Sequence, residues 1–186
     1  MDFNGDGLAD VISGSYSPGY TYLFAKQSDG TFAASETIKD KDGKAINVGN
    51  ASHIFAADWD SDGDLDLVIG NISGEVYYVV NEGSRKESAF GKPEKLKVGD
   101  KEINVGHGDS GPILADWDSD GRLDLLVGGG DGSVNYYRNT GTKKEPRLAE
   151  PQVLVPAGSW DGDGSSTGVR TKACVTDWNG DGRLDL

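Results

Sequence analysis

Short apolar runs, each opened by an aspartate and closed by a glycine, recur along the chain: Asp-Val-Ile-Ser-Gly at 10–14, Asp-Leu-Val-Ile-Gly at 66–70 and Asp-Leu-Leu-Val-Gly at 124–128. Each is too short for an ordinary helix and is bounded by turn formers, so it reads as a buried strand. Twelve residues past each opening aspartate stands a tyrosine, Tyr22, Tyr78 or Tyr136, in a β-prone stretch that predicts a second strand. A polar turn follows, seen in the matching segments 81–87 and 139–145. Next come Phe32-x-x-Ser35-x-x-Ile38, Phe90-x-x-Pro93-x-x-Leu96 and Leu148-x-x-Pro151-x-x-Leu154. Proline cannot donate to a ladder, so this third segment predicts an edge strand. Another apolar stretch, at 54–57, 113–115 and 173–175, precedes the acidic segments and predicts a further strand. No segment carries a 3.6-residue apolar period with caps, so no helix is expected. Four strands per unit of about sixty residues predict an all-β chain, a partial β-propeller of about three four-stranded antiparallel blades.

The polar positions between the first and second strands of each unit are even more regular. Residues 2–10, 58–66, 116–124 and 177–185 all read D-x-D/N-x-D-G-x-x-D, with an aromatic (Phe3, Trp59, Trp117, Trp178) at position two. The starts lie 56, 58 and 61 residues apart, so the loops mark the repeat. This gives blade units at about 1–50, 51–107 and 108–170, with the start of another at 171–186, all in one incomplete propeller segment.

Alternating carboxylates followed by a glycine suit a hard cation, because short side chains converge on one point while the glycine permits the reversal. Positions one, three, five and nine offer side-chain oxygens, and position seven offers a backbone carbonyl. The candidate metal ligands are therefore Asp2, Asn4, Asp6, Leu8 and Asp10; Asp58, Asp60, Asp62, Asp64 and Asp66; Asp116, Asp118, Asp120, Arg122 and Asp124; and Asp177, Asn179, Asp181, Arg183 and Asp185. Leu8, Asp64, Arg122 and Arg183 would contribute through the main chain. Oxygen-only ligands favour Ca²⁺ over zinc or copper, and Mg²⁺ prefers a tighter octahedron that retains water, which points to up to four Ca²⁺ sites. The competing reading is a plain polar turn, which Asp, Asn and Gly form without metal, but four copies in register weigh against it. An EF-hand needs a bidentate glutamate at position twelve, where this chain has Ser13, Ile69 and Val127.

The charge follows from these loops. The net formal charge is −13, and the loops hold 15 of the 31 acidic residues. Four Ca²⁺ ions would bring the net to about −5. No basic stripe exists to neutralise phosphates, which argues against a nucleic-acid partner. The single cysteine, Cys174, excludes a disulfide within the chain and reads as a small core residue on an inner strand. No run approaches the roughly 18 apolar residues of a membrane span. Loops of this kind suit millimolar calcium, so an extracellular or cell-surface location is expected. Met1 leads straight into the first loop, so no signal peptide is expected within this segment, and the chain reads as a fragment of a larger propeller.

On these residues the chain resembles the FG-GAP/VCBS repeat family, the calcium-loop propellers that include the integrin α head. The resemblance covers essentially the whole chain and is nearer to the bacterial VCBS-like branch, since Gly111-Pro112 retains only part of the Gly-Ala-Pro element. It implies a propeller of usually seven blades, calcium in the loops, and a role in adhesion or recognition, with no transferable partner-binding residues.

Two classes of function compete. One is a non-enzymatic calcium-stabilised scaffold that presents loops to a protein or glycan. The other is a propeller domain of a secreted polysaccharide-active enzyme, a glycosidase or lyase, or a lectin. Asp161 and Asp163, beside Trp160, form the best carboxylate pair outside the loops, against a plain decorated turn as the alternative. His53 and His107 have no nucleophile partner in a recognisable setting and read as inter-blade residues. The echo of Ile-Asn-Val-Gly at 46–49 and 103–106 reads as a blade-to-blade link, and the position-two aromatics as rings that pack each loop against the adjacent blade.

Overall fold

Of the three runs that begin with the ninth loop aspartate and end in glycine, those at 66–70 and 124–128 become the best-buried strands of the molecule, while the run at 10–14 is only half-buried, with Val11 exposed. A computed structural model describes residues 1–158 and 170–186, and among these there is no helix. In chain order the strands are β1 (Val11–Gly14), β2 (Thr21–Phe24), β3 (Glu36–Thr37), β4 (His53–Ala57), β5 (Asp66–Gly70), β6 (Val76–Val79) and β7 (Glu94–Lys95). They continue with β8 (Lys97–Val98), β9 (Lys101–Glu102), β10 (Gly111–Ala115), β11 (Asp124–Gly128), β12 (Val134–Tyr137) and β13 (Gln152–Val155). Three antiparallel sheets follow the chain without crossovers: β1-β2-β3, β4-β5-β6-β7 and β10-β11-β12-β13. The acidic loops at 58–65 and 116–123 join β4 to β5 and β10 to β11, between first and second strands as expected.

The sheets stack side by side, with β4 lying against both β1 and β10. This explains why the second strands read as unbroken apolar runs instead of alternating ones: both faces are covered. Leu67 and Ile69 enter a cluster with Ile54 of their own sheet and with Phe3, Ile38 and Ile46 of the preceding blade side. Val68, between them, faces the other way, into a cluster with Trp59, Leu114, Leu125 and Val127. One register further on, Leu126 packs with Ile113, Val134 and Tyr136. Each such buried aliphatic side chain contributes roughly 1.5–3 kcal/mol.

The strand-closing glycines have a steric purpose. A Cβ on Gly14 would lie 2.0 Å from the Ser52 carbonyl oxygen, one on Gly70 2.3 Å from that of Ser110, and one on Gly128 2.1 Å from that of Thr171. Blade-to-blade contact at this level is backbone on backbone. The hydroxyls reinforce it: Ser15 N–H donates to Ser52 Oγ at 2.9 Å, and Asn71 N–H to Ser110 Oγ at 2.9 Å.

The structure departs from the sequence reading in three places. The first sheet has three strands, β1-β2-β3, in place of the four expected per unit. Residues 173–175, expected as a strand, form none; a single bridge joins Thr176 to Asp185, and Cys174 is exposed instead of buried. In the two complete blades the equivalent stretch is held by a full strand after the loop, whereas here the pairing reduces to that one bridge. Third, a small hairpin, β8-β9, stands outside the main sheets and leads into the buried Ile103 and Val105 of the Ile-Asn-Val-Gly echo. In the matching place Ile46 and Val48 are buried, and Asn71 Nδ2 donates to the Val48 carbonyl at 2.6 Å, so the echo links neighbouring blades.

Candidate metal centre

The four loops share one hydrogen-bond scheme. The carboxylate at position one accepts two backbone N–H groups, from positions five and six: Asp62 (3.0 Å) and Gly63 (3.1 Å) for Asp58, and Asp120 and Gly121 (both 2.9 Å) for Asp116. Asp2 and Asp177 do the same in the outer loops. The position-five carboxylate accepts the N–H of position seven, at 3.1 Å in Asp62 and 3.0 Å in Asp120. These bonds curl each loop so that positions one, three and five face a common point. Two residues per loop take a left-handed backbone to allow it: Gly5 and Gly7, Ser61 and Gly63, Ser119 and Gly121, Gly180 and Gly182. The sequence reading singled out only the second of each pair. The glycines at positions 5 and 180 were the available signal for the first.

The ninth-position aspartate is the pivot of each unit. Asp66 is buried and accepts Trp59 N–H (3.3 Å) and the Tyr78 hydroxyl (2.7 Å) on Oδ2, and Asn81 N–H (2.8 Å) on Oδ1. Asp124 repeats this with Trp117 (3.2 Å), Tyr136 (3.1 Å) and Asn139 (2.7 Å). Asp10 accepts Phe3 N–H at 2.9 Å and Lys26 N–H at 2.8 Å, and Asp185 accepts Trp178 N–H at 2.9 Å. The tyrosines twelve residues on and the asparagines of the polar turn were visible as a pattern; that they anchor the loop aspartate was not read from it. Burial, and contact with that carboxylate, push the hydroxyl pKa values of Tyr78 and Tyr136 upward.

The position-two rings pack as expected where a neighbouring blade is present. Phe3 stacks on Phe90 with centroids 6.0 Å apart, and Trp59, 2% exposed, meets Tyr78 edge-on at 4.8 Å. Trp117 packs against the third apolar cluster, whereas Trp178 is 85% exposed.

Two of the loops gather three carboxylates each. One oxygen apiece from Asp58, Asp60 and Asp62, and likewise from Asp116, Asp118 and Asp120, lies within 4.8 Å of the others. In the outer loops position three is Asn4 or Asn179, which offers a neutral amide oxygen in place of a carboxylate. The electrostatics of the two triplets differ. In the second loop burial, and then repulsion from neighbouring aspartates, push Asp60 upward, and the same causes raise Asp64 to about 6. Burial also raises Asp66, against the pull of its three donors. In the third loop burial opposes ionisation of Asp120 too. There the Arg122 amide and the guanidiniums of Arg138 and Arg122 outweigh it and hold the carboxyl below its ordinary range.

A divalent cation fits this donor set. The second loop supplies only oxygens, crowds three carboxylates, and keeps a fourth, Asp64, 4% exposed with its Oδ1 lacking any hydrogen-bond partner. A buried unpartnered carboxylate oxygen is costly unless a cation or donor reaches it. Among the other sequence candidates, His53 lies on β4 beside Cys174, Ile113 and Leu114, and His107 is in a turn with φ 61°. Neither joins a carboxylate cluster. Trp160, Asp161 and Asp163 lie outside the described residues.

An FG-GAP-like repeat model matches the chain three times, over residues 2–69, 58–127 and 116–186. Each match runs from one acidic loop through the next. Among curated proteins the chain is similar to cartilage acidic protein 1 of Xenopus tropicalis, 27% identical over 132 residues, which are 70% of this chain and 20% of that protein. The Mus musculus protein of that name is 26% identical over 136 residues, with the same shares. The Homo sapiens one is 27% identical over 180 residues, 90% of this chain and 24% of its own. The chain thus spans about a fifth to a quarter of the length of these relatives. No solved structure matches it.

Proposed function

The chain belongs to the FG-GAP-like repeat family, and from that premise we propose that it is a segment of a calcium-braced extracellular propeller that presents its loops for protein or glycan recognition. The calcium is structural. The observation that carries the reading is the second loop, where Asp58, Asp60 and Asp62 converge and Asp64 is buried with an unpartnered oxygen. Positions one, three, five and nine of each loop, with the position-seven carbonyl, would hold the ion. When bound, it supplies positive charge that offsets carboxylate repulsion, so its binding free energy is coupled to folding.

The protein's own residues prepare the site. Position-one carboxylates fix the curl of the loop through two main-chain donors, and the ninth aspartate fastens the loop to the second and third strands of its blade. The position-two ring then presses the loop onto the adjacent blade. On this reading the chain divides into repeat units at about 1–50, 51–107 and 108–170, with another beginning at 171. We assign no catalytic role to this segment, because the clustered carboxylates among the described residues are those of the loops. An extracellular setting supplies the calcium such loops need. Among the described residues no helix is long and apolar enough to cross a membrane.

Thermal unfolding in millimolar Ca²⁺ and in excess EGTA tests the proposal. Chelation lowers the melting temperature by tens of degrees if several structural sites empty together. Identical melting curves would sink the calcium reading. A glycan array probed with and without Ca²⁺ separates a lectin from a protein-binding scaffold.

A further inference from the structure

The second and third loops form a natural matched pair. Residues 58–66 read Asp-Trp-Asp-Ser-Asp-Gly-Asp-Leu-Asp, and 116–124 read Asp-Trp-Asp-Ser-Asp-Gly-Arg-Leu-Asp. They share the triplet geometry, the two left-handed residues and the pivot bonds of the ninth aspartate. Within the loop they differ at position seven alone, Asp64 against Arg122. A second difference lies one strand away, where Val80 of the second unit corresponds to Arg138 of the third.

Both differences change what faces the carboxylates. Arg138 reaches into the third loop, with Nε 2.5 Å from Asp118 Oδ2 and Nη2 3.2 Å from Asp120 Oδ2. Arg122 pairs with Asp120 as well and anchors itself by donating from Nε to the Asn139 carbonyl at 3.0 Å. The positions-three and -five carboxylates, two of the three in the cluster, are thus bridged by guanidinium. In the second loop no ion pair reaches Asp58, Asp60, Asp62, Asp64 or Asp66 among the described residues. Counted with these arginines, the third loop carries a formal −2 from four aspartates and two arginines, while the second carries −5.

We propose that the second loop is the dominant divalent-cation site of this segment, and that in the third loop Arg138, with Arg122, takes the electrostatic place of the ion. This rests on the calcium reading above and deepens it. The third loop is then neutralised internally, keeps its shape without metal, and admits Ca²⁺ only when the Arg138 guanidinium is displaced. The second loop has no internal cation, so its carboxylates are neutralised only by an external one. Ligand charge count is a main determinant of affinity in loops of this type. A three-unit difference within a few ångströms, screened as in a partly exposed site, is expected to separate the two affinities by one to two orders of magnitude. The outer loops, with asparagine at position three, carry a formal −3 at residues 2–10 and −2 at residues 177–185, where Arg183 is counted, and both rank below the second.

Isothermal titration of the full 186-residue chain with CaCl₂ tests this, using the parent and three variants. In the parent the tightest step is expected to be well separated from the rest. Asp60→Asn abolishes that step, whereas Asp118→Asn leaves it in place. Arg138→Val, which installs the residue found at the matching position of the second unit, tightens one weaker step about tenfold and touches no loop ligand. Circular dichroism of each variant confirms folding, and the Arg138→Val result stands even if Asp60→Asn does not fold. Loss of the tightest step in Asp118→Asn, or an unchanged isotherm in Arg138→Val, overturns the inference alone, with calcium binding left standing. Absence of any calcium heat in the parent overturns the calcium reading and this inference with it.

Discussion

The indole N–H of Trp59 donates to the carbonyl oxygen of Leu123 at 3.0 Å. That bond joins position two of one acidic loop to position eight of the next, so adjacent loops are braced to each other as well as to their own blades. Asn139 Nδ2 donates to the same carbonyl at 3.1 Å, which fixes its direction from the far side. Blade stacking and loop geometry are therefore linked at a single main-chain oxygen.

The ring and the bond at Trp59 are separable. Trp59→Phe retains most of the buried ring and loses one hydrogen bond, leaving the Leu123 carbonyl with the Asn139 amide, at a cost of about 1 kcal/mol. Trp59→Ala also opens a void between two blades and is expected to cost about 3–5 kcal/mol. Urea denaturation at fixed calcium measures both. Equal losses in the two variants would contradict this division of labour.

Inter-blade distance is set by glycine. A Cβ on Gly70 would meet the Ser110 oxygen at 2.3 Å, and its φ is not in the left-handed region, so the penalty of Gly70→Ala is purely steric. Because the obstacle is backbone braced by neighbouring strands, relief requires the blades to part, and a loss of about 2–3 kcal/mol or more is expected. Gly91→Ala is the control: its nearest neighbours would be 3.5 Å away, an ordinary contact. Comparable losses at the two positions would refute the steric account.

These glycines show how far the sequence could be read. The period, the β class, the loop position and the outward placement of the proline-bearing strand all follow from local patterns, because each unit repeats the same short-range chemistry. What sits across a blade boundary did not: Gly70 was legible as the end of a strand, but not as the contact point with Ser110. The same holds for Arg138. Nothing adjacent in sequence says that a strand-end arginine bends back onto Asp118 and Asp120. Cys174 failed for the opposite reason, since its local pattern matched a strand whose pairing is reduced to the Thr176–Asp185 bridge.

Tyr78 and Tyr136 offer a graded comparison at the pivot. The Tyr78 hydroxyl lies 2.7 Å from Asp66 Oδ2, and that of Tyr136 3.1 Å from Asp124 Oδ2, both on buried carboxylates. Removing a donor from a buried charged acceptor costs more than a neutral bond, about 1.5–3 kcal/mol. Tyr78→Phe is expected near the top of that range and Tyr136→Phe near the bottom, by chemical denaturation. The ranking fails if the longer bond proves the more costly to lose.

His53 gives the chain an acid-sensitive element away from the loops. Its side chain lies beside Ile113, Cys174 and Val175, and its Nδ1 is buried without a partner. Burial first, and then the positive charge of Lys172, lower its pKa to about 4, against the weaker opposing pull of Asp109 and the Pro112 main chain. The folded state thus keeps the imidazole neutral, while the unfolded chain protonates it near 6.5. As pH falls below 6.5 the unfolded state binds the extra proton and stability declines; below about 4 both states are protonated and the decline stops. Between pH 7 and 4.5 this amounts to about 2 kcal/mol, an upper figure for a side chain that retains some solvent contact. His53→Asn removes the titration. Measured in excess calcium, the stability difference between parent and variant cancels the loops' own pH dependence, so the parent should lose about 2 kcal/mol relative to the variant over that range. Parallel pH profiles for the two proteins would show that the imidazole is not held neutral in the fold.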